Sequence, residues 1–291
     1  MLATSPTRLR VEKAGMSPNP NEEGSQNIAR ASRDRTVQDL FAPTEAEQRT
    51  ARIMGAWFLA TFVFSIPAFL FYDPLLNHAN YIVGSGADTR VAVGALLEIL
   101  LAISGIATAV VIFPIVKRVN ESIALGYIAS RTVESIFILI GVLSLMSVVA
   151  LRQDLAGAGS QSGALIDVGR SLLAVHHQTS LLGPQFCAGL GNGILLGYLM
   201  WRSRLVPRPL AMFGLIGGPL AILGGTGVLL GAWGNPSGPL SALTVLEAIW
   251  EFSLSVWLLA KGFRPSPILT GTPVSPEVAN AHPLLASQPD S

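Results

Sequence analysis

From residue 53 onward the chain is built of long apolar blocks separated by short polar ones. The blocks fall at 53–72, 91–116, 127–151, about 180–201, 210–232 and 241–260. Crossing a ~30 Å hydrocarbon core takes about 20 helical residues, and each block has roughly that reach. Strands of a membrane barrel would be about half as long and would alternate in polarity, which these blocks do not. The pattern therefore predicts an all-α, polytopic transmembrane helix bundle with six spans. The fourth block is irregular. From Ser171 to Trp201 it is too long for one straight crossing, and Gly183-Pro184 can kink or break it. It reads either as one kinked helix or as a span preceded by an interfacial segment over 171–179.

The flanks have a different texture. Residues 1–50 are rich in Ser, Pro, Asn, Arg and Glu and keep no apolar period, so a disordered tail is expected there, with a short helix conceivable at "TVQDLF" or "TEAEQRTAR". Residues 264–291 repeat Pro among small polar residues and are expected to form a second loose tail. The membrane domain is thereby expected at 51–263. No stretch in 1–50 has the apolar core of a signal peptide, so the first span is expected to act as its own insertion signal.

Composition strengthens this division. The 291 residues are 50% hydrophobic and only 13% charged, against about 25% charged in an ordinary soluble domain. Residues 1–52 hold eight of the nineteen Lys and Arg and seven of the eighteen Asp and Glu. A net charge of +1 gives no reason to expect nucleic acid as a partner. The lone cysteine, Cys187, lies in an apolar stretch; it excludes an intrachain disulfide and reads as a packing residue.

Charge position then predicts orientation. With six spans and the N-terminus inside, cytoplasmic flanks carry Arg49, Arg52, Lys117, Arg118, Arg202, Arg204, Arg208, Lys261 and Arg264, while external flanks carry Arg90, Arg152 and Arg170. That asymmetry matches the positive-inside rule and puts both termini in the cytoplasm; five or seven spans would break the alternation.

Two kinds of residue inside the blocks need a reason. Gly189, Gly193 and Gly197 recur every fourth position, and Gly214 with Gly218 repeats the spacing in the next span. Such faces let helix backbones approach closely. "GGTG" is not a phosphate loop, because no Lys-Ser/Thr follows and no strand precedes it. The ionisable residues Glu98, Arg131, Glu134, Glu247 and Glu251 also lie within spans. Charges in hydrocarbon are expensive and normally face a partner or a watery cavity. Glu98 and Glu247 fall at matching depth, roughly 10 Å below the outer boundary at about 1.5 Å per residue. Glu251 lies one turn deeper, where it could meet Asn192, and Arg131 and Glu134 are spaced to neutralise each other. His176 and His177 sit at the outer mouth near the depth of Arg90. Either Glu98, Glu247, Glu251 and a histidine bind a divalent cation or relay protons, or the carboxyls are hydrogen-bonded glue between helices. No His-Glu-x-x-His motif is present, so a metalloprotease is unsupported. A weak echo links "RTVESIF" in the third span with "LTVLEAIW" in the sixth, as an inverted repeat would, although a coincidence of small common residues explains it better.

The segments "ARIMGAWFL", "DTRVAVGALLEIL", "FPIVKRVNESIALGYIASRTVESIFILIGVLSL", "LLGPQFCAGLGNGILLGYLMWRSRLVPRPLAMFGLIG" and "WLLAKGFRPS" resemble the bacterial membrane-protein family catalogued as domain of unknown function 4386, over about 50–265. The resemblance implies a bacterial inner-membrane protein of six to seven helices, without an established activity, and it transfers no catalytic residues.

Three functional classes follow. A small-solute or ion carrier or channel would use the buried carboxyls and Asn192. A non-transporting sensor or assembly module would use them for packing. An enzyme acting on lipid would need a nucleophile or a metal near a base, and none stands out. The lipid bilayer is the partner implied. Cofactor, metal and any second copy or protein partner are left open by the residues.

Overall fold

A computed structural model describes residues 41–78, 81–83, 86–154 and 162–269. Most of the two expected tails, 1–40 and 270–291, therefore lies outside the described residues. The helices are α1 (Glu45–Leu76), α2 (Asp88–Val116), α3 (Glu121–Asp154), α4 (Ser162–Ser180), α5 (Gly197–Ser203), α6 (Arg208–Leu229) and α7 (Gly238–Ala260), with a short 3₁₀ turn at Tyr81–Val83. Between α4 and α5 the backbone widens into two π-helical stretches, π1 (Leu181–Cys187) and π2 (Gly189–Leu196). No strand occurs among the described residues, so the protein is a helix bundle.

Helix boundaries follow local chemistry. α1 starts inside the stretch expected as tail, because Thr44 and Glu47 form a reciprocal cap. The Glu47 amide donates to Thr44 Oγ1 at 3.2 Å, and the Thr44 amide donates to Glu47 Oε2 at 3.0 Å. Glu47 also pairs with Arg118 at 3.0 Å. Pro74 lies within α1 and has no N–H to offer the Leu70 carbonyl. Arg90 supplies the missing donor at 2.7 Å. α7 opens on Ser237, whose hydroxyl accepts from the Leu240 amide at 3.3 Å. The expected interfacial segment at 171–179 is not separate. It lies inside α4, which continues through the π stretches into α5, so 162–203 is one helical path. At Gly183-Pro184 the path widens rather than breaks, as π segments inside α-helices do.

The helices pack in chain order as a closed ring. α1 lies on α2, α2 on α3, α3 on α4 and the π stretches, π2 on α6, α6 on α7, and α7 returns to α1. Two apolar clusters fill it. One, at the end where the first and last described segments meet, includes Met54, Phe58, Ile112, Tyr127, Leu199, Met200, Trp250 and Leu254. The other joins Tyr72, Val91, Leu145 and Val149 at the opposite end. There Arg152 pairs with Asp88, which also accepts from the Tyr81 hydroxyl at 2.8 Å and from the Gln153 amide at 3.0 Å. Burial and that bond to the carboxylate push the Tyr81 phenol up from its ordinary value.

The outside of the ring is apolar. Val63, Ile66, Phe69 and Leu70 on α1 are 56–69% exposed, and Leu96, Ile103, Leu143, Leu223 and Phe252 continue the belt. Water does not tolerate so much contiguous apolar surface on a monomer. Among the described residues, five helices, α1, α2, α3, α6 and α7, have the length and apolarity to cross a bilayer. This is a membrane protein.

Candidate functional site

Between the two apolar clusters lies a polar layer built by α3, π2 and α7. Arg131 Nη1 donates to Glu134 Oε2 at 2.5 Å, and Arg131 Nε donates to the Gly105 carbonyl of α2 at 3.2 Å. Only 4% of Arg131 and 7% of Glu134 is exposed, so the guanidinium depends on these contacts for its solvation. Gly105 is a glycine because a side chain there would meet Arg131.

On the facing wall, Asn192 Nδ2 donates to Glu251 Oε1 at 2.5 Å, and Trp250 Nε1 donates to the Asn192 carbonyl at 3.0 Å. That second bond fixes the π2 backbone beside α7. Glu247 lies one turn from Glu251 and is 4% exposed, yet neither of its carboxyl oxygens has a hydrogen-bond partner among the described residues. A Cβ added at Gly193 or at Gly217 would come within 2.8–2.9 Å of Glu247 Oε2. The carboxyl is therefore held in a slot between two glycine backbones. Asn192 Oδ1 is likewise buried without a partner. Glu134, Glu247 and Glu251 are close enough to one another and to Arg131 to interact electrostatically. Three carboxyls thus share one guanidinium.

Glu98 does not belong to this group, which corrects the expectation that it would join Glu247 and Glu251. Equal depth does not imply equal azimuth. Glu98 faces α1, where Tyr72 donates to it at 3.0 Å. His176 is 7% exposed and packs edge-on to Tyr72, with ring centroids 5.9 Å apart. His177 turns away and lines a surface groove with Arg90, Asp73 and Asn77. The divalent-cation set of Glu98, Glu247, Glu251 and a histidine is thus dispersed. No group of three His, Cys, Asp or Glu side chains able to hold a metal occurs among the described residues.

The glycine stripe packs as spaced. A Cβ at Gly189 would meet the Gly218 carbonyl at 2.8 Å, and one at Gly214 would meet the Trp250 ring at 2.7 Å. Sequence reasoning missed Tyr72 on Glu98, Trp250 on the Asn192 carbonyl, and Gln185, which donates to Thr244 Oγ1 at 2.5 Å and to the Ala221 carbonyl at 3.0 Å. A Gln and a Trp in apolar helices were available as signals, since both carry donors that must be satisfied in hydrocarbon. Ser130 ties α3 to the widened path through the Cys187 carbonyl at 2.7 Å.

The family model described as "Domain of unknown function (DUF4386)" matches residues 53–262. No curated protein and no solved structure matches the chain.

Proposed function

The chain belongs to the DUF4386 family, a membership that brings no activity with it, and we propose that this membrane protein is a carrier for a small cation or a proton-coupled solute, with Glu247 as the exchanging group. Six crossings with both termini in the bacterial cytoplasm complete the reading. The observation that carries it is the buried, unpartnered Glu247 carboxyl. An ionised carboxylate in a dry interior is strongly disfavoured unless a proton or cation neutralises it. Glu134 has Arg131 and Glu251 has Asn192, so Glu247 is the member of the layer left to take the mobile charge. The glycine slot supports the same role, because the absence of a Cβ at Gly193 and Gly217 leaves the room that the carboxyl occupies. Asn192 contributes an unused amide oxygen one helix away, an acceptor suited to a cation.

The test has two arms. Dicyclohexylcarbodiimide adds to carboxylic acids that hold a proton in apolar surroundings, so mass spectrometry of the treated protein should find the adduct on Glu247. Proteoliposomes containing a pH-sensitive dye should then exchange protons for imposed sodium or potassium gradients, and Glu247→Gln should reduce this to the empty-liposome background. Equal flux from wild type and Glu247→Gln would sink the assignment.

A second reading, a non-transporting sensor or assembly module, has its own support. Tyr72, Arg131 and Asn192 cap Glu98, Glu134 and Glu251 respectively, as packing glue would require. Absence of the Glu247 adduct together with absence of cation-driven proton flux would favour it.

A further inference from the structure

The end of the bundle where the first and last described segments meet carries a second polar feature, remote from Glu247. The chain leaves α7 and folds back across the mouth of the ring. Arg264 donates its amide to the Leu205 carbonyl at 2.8 Å, Ser266 Oγ donates to the Ser203 carbonyl at 2.5 Å, and the Ser266 amide donates to the Phe41 carbonyl at 3.0 Å. Those bonds build a groove of about 470 Å³ walled by Arg204, Arg208 and Arg264 over a floor that includes Phe41 and Val206. A second groove of about 360 Å³ shares Arg204 and Pro267 with it and adds Arg118 and Arg202. Neither lining contains an Asp or Glu. Arg118 has Glu47, but Arg202, Arg204, Arg208 and Arg264 have no carboxylate partner among the described residues.

Two details separate this from an ordinary basic flank. Arg204 closes α5 in the left-handed conformation, at φ 62°. Glycine is the usual residue at such a cap, because any Cβ there is strained. An arginine at this point places its guanidinium where both grooves share a wall. Arg208 stacks over the Trp201 ring at 5.6 Å, which fixes one guanidinium at a level where Trp residues meet the membrane surface.

From this geometry we infer that the paired grooves bind a phosphate-bearing anion, and that its source is the headgroup of an acidic membrane lipid. Planar guanidinium forks match phosphate oxygens two at a time. Converging cations without an acid in the lining focus a positive potential on the groove. Basic pockets beside spanning helices are suited to acidic headgroups, and the apolar floor accepts glycerol and the first methylenes better than a free ion would. The inference does not depend on the role of Glu247.

The test uses the purified full-length chain in detergent, titrated with cardiolipin, phosphatidylglycerol, phosphatidylcholine or inorganic phosphate and read by native mass spectrometry. Acidic lipids should be retained and phosphatidylcholine should not. The double variant Arg204→Gly, Arg264→Gln should lose roughly tenfold in retention, while Arg90→Gln, at the other end of the bundle, should keep wild-type retention. Because Gly suits the left-handed cap, the double variant should unfold at no lower temperature than wild type, which separates lost binding from lost fold. Where Arg204→Gly does reduce folding, the single variant Arg264→Gln carries the same comparison. Equal retention of acidic lipid by wild type and either variant overturns the site. Binding of inorganic phosphate that the double variant abolishes, with no lipid retained, overturns the lipid source.

Discussion

Deleting the carboxyl partner of Arg131 would leave a guanidinium inside the bundle with the Gly105 carbonyl as its remaining hydrogen-bond acceptor among the described residues. Removing one member of a buried pair costs about 3–5 kcal/mol, whereas replacing both by apolar residues of similar volume is often close to neutral. Glu134→Leu should therefore destabilise the bundle by about that amount, and Arg131→Met combined with it should recover most of the loss. Unfolding in a mixed-micelle SDS titration measures both; equal stability of Glu134→Leu and wild type would mean Arg131 is neutralised by Glu251 instead. At this scale the sequence is partly legible. Spacing alone suggests the Arg131–Glu134 pair, because residues three apart share a helix face. Depth brings Asn192 and Glu251 to one level. Spacing and depth say nothing of azimuth, so Glu98 looked equivalent to Glu247 although it faces α1 and Tyr72.

Among elements, the 162–203 path and α6 approach most closely along Gly189, Gly193 and Gly218. Within hydrocarbon, burying a leucine against a helix rather than against lipid gains little. Close backbone contact and interhelical hydrogen bonds therefore do more of the work. A methyl group at Gly193 would run into the Gly218 backbone and the Glu247 carboxyl, whereas one at Gly238 would meet nothing within 4 Å. Gly193→Ala should cost about 1–3 kcal/mol, and Gly238→Ala should fall within about 0.5 kcal/mol of wild type. The same SDS titration distinguishes them, and equal effects would contradict the close approach. The glycine stripe was readable because its four-residue period is a packing signal in itself. The π widening was not, since an apolar run has the same composition whether its carbonyls bond four or five residues on. The start of α1 was partly legible, since a short helix is expected at "TEAEQRTAR", whose Thr44-x-x-Glu47 is its cap; its continuity with the first span was not, because the polar texture of these residues reads as tail.

For the molecule as a whole, the meeting of the first and last described segments limits the number of traversals. Gln48 Nε2 donates to the Phe263 carbonyl at 2.9 Å, and the Phe263 amide donates to Gln48 Oε1 at 3.0 Å. A stretch whose first and last described segments share one end of the bundle passes along it an even number of times. Five helices among the described residues meet the length and apolarity of a span, an odd number. The 162–203 path is the proposed sixth pass. It runs from Leu165 and Leu172 beside one apolar cluster to Leu199 and Met200 in the other, but its wide, glycine-rich middle divides it: α4 is 19 residues long yet too polar to qualify, with Asp167, Arg170, His176 and His177, and the pieces after it are too short. Five crossings would put Gln48 and Phe263 on opposite sides of the membrane. In a Cys187→Ser background, single cysteines at His177 and Gly234 should react with an impermeant maleimide from outside intact cells. Cysteines at Arg49 and Arg264 should react only in inverted vesicles. Labelling of positions 49 and 264 from opposite sides would exclude six crossings. Labelling of both from outside would reverse the orientation inferred from the basic flanks, and would put the arginine grooves on the outer leaflet.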